Sequence, residues 1–211
     1  MRLAENVLRD ELAGAWERWG QRCADLTATQ WRTTTRCESW DVQSLVAHVC
    51  PEATTFDELA KARIDGVPAV TDAAEMLRIF NRPDGVANAT ANQIAERAVL
   101  EASTLTPPTA AARFLEAAAR LRRMPEMARA GETAIRYPIV GSTTLGVVAE
   151  VALMEATVHL LDLADAVGGV APSPTALAAT RDLLIAVPDP AAAVEALAGR
   201  APARAAVPAI R

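Results

Sequence analysis

Glu155, His159 and Asp162 stand in VALMEATVHLLDLADAVGG, residues 151–169, a stretch otherwise made, apart from Thr157 and Asp165, of Val, Ala, Leu, Met and terminal Gly. In an α-helix, spacings of four and three stack the three polar groups on one face. The chain has two histidines, and the other, His48, also lies in an apolar helical stretch, SLVAHV. An ionised group buried in such surroundings is costly unless something compensates it, and a divalent metal is one such compensator. His48, Glu155 and His159 make a His2Glu set. That combination holds a catalytic zinc while leaving a fourth position open for water or substrate, and as a facial set it also suits iron(II) or another dication. The residues leave other roles open. A buried His can be a hydrogen-bonded core residue, and Asp162 can either orient His159 from one turn away or meet solvent at a bundle edge.

Composition limits the classes available. The 211 residues suit one well-filled domain, and 51% hydrophobic with 22% charged content is ordinary for a water-soluble globule. A formal net charge of -5, without a Lys/Arg run, argues against a nucleic-acid partner. No apolar run reaches the roughly 18 residues that a membrane span needs, and MRLAENVLRDEL lacks the apolar core of a signal peptide, so a cytoplasmic location is expected. Cys23, Cys37 and Cys50 are too far apart for a CxxC motif, and their odd number fits reduced thiols.

The elements that must position the polar residues read as helices almost throughout, since Ala, Leu, Glu and Arg dominate and strand-like alternation is rare. A first helix is expected over about 4–25, with Val7, Leu8, Leu12, Trp16, Trp19 and Cys23 facing inward. A second starts at WDVQSLVAHV with Asp41 as N-cap and runs to about Ile64, kinked or interrupted by Pro51. Shorter helices follow, one ending at Pro83 and Gly85, one in NATANQIAERAVLEAST and one opened by Pro107-Pro108; whether the last two are one kinked helix stays open. ARAGETAIRYPIVGST reads as a loop, with Ser142 or Thr143 capping the next helix, which stops at Gly168-Gly169. Ser173 and Pro174 start a last helix, followed by an Ala/Pro-rich tail expected to be partly disordered.

An all-α architecture follows: a bundle of about four long helices with short satellites over 1–170 and a helical extension over 171–211. Bundles of this kind build ligand and metal sites from side chains on facing helices. Cys50 and the tryptophans Trp16, Trp19, Trp31 and Trp40 read as packing, and Glu150 as a solvated or loop-facing charge.

Two segments resemble a known family. TTTRCESWDVQSLVAHV is similar to a C-x-x-W-[TD]-V-x-x-L-V-A-H signature and EATVHLLDLADAVG to an E-x-x-x-H-x-x-D-L signature of the mycothiol-dependent maleylpyruvate isomerase N-terminal-domain family, a branch of the DinB-like metal-binding four-helix bundles. The resemblance covers roughly the first 170 residues, with a weakly matching middle. It implies that His48, Glu155 and His159 are metal ligands, and that Trp40, Asp41, Leu45 and Asp162 are mainly architectural. It further implies a metal, usually zinc, that activates the thiol of mycothiol for addition to an electrophile or for isomerising a double bond, with no protein cysteine required. Asn81 and Arg82, in the loop-rich middle, are candidates for the polar walls of the cleft. The isomerase carries a substantial C-terminal domain after the bundle where this chain has residues 171–211, so the resemblance does not name the substrate.

Three functions stay open: a thiol-dependent transferase or isomerase taking a small-molecule substrate; a metalloenzyme of the same fold that uses metal-bound water or Lewis acidity without a thiol; and a non-catalytic metal-binding bundle. A monomer or homodimer is expected, without nucleic-acid or membrane partners.

Overall fold

The apolar stretch 145–167 sets the centre of the fold, because a helix with hydrophobic side chains on every face has to be surrounded. The computed structural model describes residues 3–37 and 40–207, leaving undescribed the side chains of residues 91, 92 and 205. Among these residues the helices are α1 (Glu5–Ala24), α2 (Ala28–Trp31), α3 (Val42–Val49), α4 (Thr55–Lys61), α5 (Ala73–Phe80), α6 (Val86–Ala89), α7 (Ala91–Ala102), α8 (Pro107–Arg123), α9 (Leu145–Val167), α10 (Pro174–Ala186) and α11 (Pro190–Leu197). Helix α9 is the central one and packs on α1, α3, α5 and α10, while α1 runs along α8. Buried side chains of α1, α3, α8 and α9 form one continuous core. The chain is thus the all-α, DinB-like bundle that the sequence indicates, with short satellite helices. No described helix is long and apolar enough to cross a membrane.

Local chemistry fixes the helix ends. Asp41 accepts a hydrogen bond from the Ser44 amide at the start of α3, and Ser173 accepts one from Ala176 at the start of α10, so both expected caps form. Helix α3 stops at Val49 because the residue before a proline is pushed out of the helical region; Cys50, preceding Pro51, has ψ 113°. The chain resumes as α4 only at Thr55, so Pro51 interrupts the helix instead of kinking it. His48 is thereby held in the last turn of α3. Helices α7 and α8 are separate, divided at Ser103–Thr106, with the Thr106 hydroxyl capping α8 ahead of Pro107. The Ala/Pro-rich tail continues helical through α11 and a 3-10 turn at Ala203–Ala205, and its last residues, 208–211, lie outside the described part.

One expectation is corrected. ARAGETAIRYPIVGST contains an antiparallel hairpin, β1 (Ala134–Tyr137) and β2 (Gly141–Thr144). Its strands are too short for an alternating pattern to register in the sequence, and they are held by burial of Ile135 opposite Thr143 and by the positive φ of Gly141 after the turn. Because β2 takes up Ser142 and Thr143, the cap of α9 is Thr144, whose hydroxyl accepts from Val147.

Two contacts set the position of α9 against α1. Trp19, fully buried and stacked on Phe114, donates its indole N–H to the Ala156 carbonyl at 2.9 Å. Arg22 donates to the carbonyls of Val167 and Gly168 at 2.9 and 2.8 Å, closing the C-terminal end of α9. Trp19→Ala removes a buried ring and a hydrogen bond, and we expect a loss of roughly 3–5 kcal/mol in urea unfolding; a loss below about 1 kcal/mol would show that Trp19 does not anchor α9.

Candidate metal centre

Helix α9 delivers Glu155 and His159 on one face, and α3 brings His48 to them across the bundle interior. The Nε2 of His159 is 3.4 Å from a Glu155 oxygen, and the Nε2 of His48 is 4.0 Å from the same atom. The two imidazoles meet edge to face with centroids 5.2 Å apart. One donor atom from each of the three residues lies within 4.8 Å of the others. Ligands at 2.0–2.2 Å in a tetrahedral shell stand about 3.3 Å apart, so the Glu155–His159 edge already has that spacing and His48 needs to approach Glu155 by roughly 0.7 Å. The donor types fit as well, being two imidazoles and a carboxylate presented together.

Asp162, buried one turn beyond His159, orients that ring: its carboxylate accepts a hydrogen bond from His159 Nδ1 at 2.8 Å, which points Nε2 at Glu155. Of the two sequence readings of Asp162, the geometry is that of the orienting one. The same carboxylate accepts from Arg36 Nε at 2.6 Å and from the Cys37 thiol at 3.2 Å. Cys37, His159 and Asp162 form a second group whose donor atoms are close enough to hold an ion. There, however, the Asp162 oxygens are already taken by three donors, one of them the Arg36 guanidinium, so it is the poorer cation site.

The charges follow from this wiring. Burial alone would strip the proton from His159, but the hydrogen bonds to Asp162, Cys37 and Glu155 outweigh it and hold its pKa up at about 11. Burial likewise favours a neutral Asp162, and the bonds from His159, Arg36 and Cys37 override it and bring the carboxyl down to about 2. Glu155 is pushed up by burial but pulled below its ordinary value by the His159 hydrogen bond and charge. Burial, then the neighbouring His159 charge, lowers His48. The metal-free centre is therefore a cationic His159 between two carboxylates, beside a neutral His48.

A cavity of about 800 Å³ opens over these donors and is lined by His48, Glu155 and His159 at one end. Its walls come from α9, from α4 to α7, and from the β1–β2 turn through Ile139. Trp40, expected as packing, also lines it, its ring centroid 4.7 Å from that of His48, and its indole nitrogen is buried with no hydrogen-bond partner among the described residues. Trp16 serves both core and cavity, whereas Trp19 and Trp31 are buried packing residues. Asn81 and Arg82 are not among the lining residues; Asn81 donates to Leu77 within its own turn, and Asn88 donates to the carbonyls of both, so the segment presents Phe80, Val86 and Ala87 to the cavity instead. Arg36 and Cys37 carried no site signal of their own in the sequence, although Cys37 is part of the C-x-x-W stretch.

Fold and site together define a helical bundle with a His2Glu donor set at the base of an internal cavity. The chain matches the mycothiol maleylpyruvate isomerase N-terminal domain family over residues 12–164, and it belongs to that family. Comparison with curated proteins and with solved structures gave no match.

Because His159 is protonated in the metal-free centre and must be neutral to offer Nε2, uptake of a divalent ion has to expel its proton. Calorimetric titration of zinc into metal-free protein near neutral pH, repeated in buffers of different ionisation heat, should report release of about one proton per ion, and affinity should fall as pH falls. Asp162→Asn should weaken uptake by about 10–100-fold. Zinc uptake without proton release would contradict the wiring of His159.

Proposed function

We propose that the chain is a metal-dependent enzyme that binds a divalent ion, zinc being the first choice, through His48, Glu155 and His159, and activates a low-molecular-weight thiol of the mycothiol type against a small electrophile. The observation that carries this reading is the convergence of the three donor groups at one end of a roomy cavity. Three protein ligands with open space on the remaining side are the pattern of a catalytic site; a structural ion is enclosed by four. Membership of the mycothiol-associated family supports the thiol.

When bound, the dication would supply Lewis acidity, lowering the pKa of a thiol at the open position so that a nucleophilic sulfur is available at neutral pH. The protein's own residues prepare that position. Asp162 holds His159 in the tautomer that presents Nε2, and Arg36 balances the charge of Asp162. Glu155 supplies the negative charge of the set. Trp40 packs against the His48 ring, and Phe56, Val148 and Val151 line the cavity beside it. Cys37, engaged with Asp162, is not needed as a nucleophile because the sulfur arrives with the cosubstrate.

A second reading, a metalloenzyme using metal-bound water or Lewis acidity without a thiol, draws support from the cavity wall, which offers few polar groups to a sugar-bearing thiol. The two separate in one assay. Zinc-loaded protein is supplied with a panel of electrophiles with and without mycothiol. Turnover that needs both metal and thiol, and falls at least about 100-fold on chelation, supports the first reading. Metal-dependent turnover that persists without any thiol selects the second.

A further inference from the structure

We infer that the cavity selects a neutral, aryl- or alkyl-bearing substrate and rejects one carrying a free carboxylate; this builds on reading the donor set as the reactive end. The lining decides it. Apart from Thr55, Cys37 and the three donors, every described residue that faces the cavity carries a hydrocarbon or indole side chain, and none is Arg or Lys. Three cations on the surrounding elements are engaged by protein carboxylates, Arg113 with Glu52 at 3.4 Å, Arg120 with Asp57 at 3.6 Å, and Arg36 with Asp162. The one carboxylate that faces the cavity is Glu155. A substrate anion moved into these walls would lose its hydration and find one cation there, His159, which Glu155 and Asp162 already neutralise, and a dicarboxylate, even with one end at a metal, would leave its second end stranded.

Size and continuity point the same way. About 800 Å³ exceeds what a short-chain acid fills and lies within the roughly 300–1,000 Å³ of sites for larger ligands. A second apolar cleft of about 460 Å³, lined by Trp40, Ala95, Glu96, Val99 and Leu100, shares Trp40 and Ala95 with the cavity. Val99 and Leu100, which line it, are 53% and 73% exposed, so an apolar surface continues from the donors past Trp40 to the outside of α7. A ring or chain attached to the reacting group can lie along it.

The test uses two probes that differ only in charge, 4-phenylbutanamide and 4-phenylbutanoate, titrated calorimetrically into the full chain with and without zinc, and into Ala152→Phe. Ala152 lines the cavity one turn before Glu155, so a phenyl group there occupies the space without replacing a donor. In metal-free protein the amide should bind at least about tenfold more tightly than the carboxylate, and Ala152→Phe should weaken the amide by about tenfold or more while zinc uptake stays at the wild-type level. Equal or tighter binding of the carboxylate by metal-free wild-type protein overturns the inference. An intact amide preference in a protein that takes up no zinc would contradict the metal reading alone and leave the cavity's selectivity standing.

Discussion

Helix α9 is packed by neighbours on most sides and carries Glu155, His159 and Asp162 among them, so these three groups have to be compensated from within the protein. That requirement organises what surrounds it. Asp162 is neutralised by Arg36 and by His159, and its remaining lone pairs take the Cys37 thiol. His159 in turn lies between Asp162 and Glu155, and His48 arrives from α3 to complete the cluster. The helix bearing these groups is fixed by the Trp19 indole at Ala156 and by Arg22 at its last carbonyls, so the donors sit on a rigid element whose register is held at both the middle and the end.

The second constraint is that the donors must remain reachable. Pro51 supplies it by ending α3 one residue after His48, which prevents a continuous helix from covering the donor set. The chain then passes through short helices, α4 to α7, with the hairpin turn closing over Ile139, and this irregular wall leaves space where a regular four-helix bundle would pack side chains. An apolar wall around a charged base gives low dielectric at the donors and strengthens every interaction made there. The same wall sets what can enter.

What was legible in the sequence is what local chemistry decides. The i, i+4, i+7 spacing placed Glu155, His159 and Asp162 on one face because the helix period alone requires it, and Asp41, Ser173 and Gly168 marked helix ends because capping is a matter of neighbouring residues. The break at Pro51 followed for the same reason. The hairpin at Ala134–Thr144 was not legible, since four-residue strands are held by burial of Ile135 against distant partners. Nor were Arg36 and Cys37: they meet Asp162 from more than a hundred residues away, and nothing in their own surroundings announces it. Asn81 and Arg82 looked like polar wall candidates because a loop-rich segment often lines a cleft, yet the Asn81 and Asn88 side chains there donate to nearby carbonyls and the segment offers apolar side chains to the cavity.

The central claim is that His48, Glu155 and His159 act as one ligand set, and the most direct measurement is the metal content of protein purified without added metal, by elemental analysis beside His48→Ala. The account predicts about one divalent ion per chain in the wild type and its loss in a variant whose helical circular dichroism is unchanged. A wild-type protein that carries no ion and takes none up on titration would contradict it, and would make the two histidines members of a buried ion-pair network only.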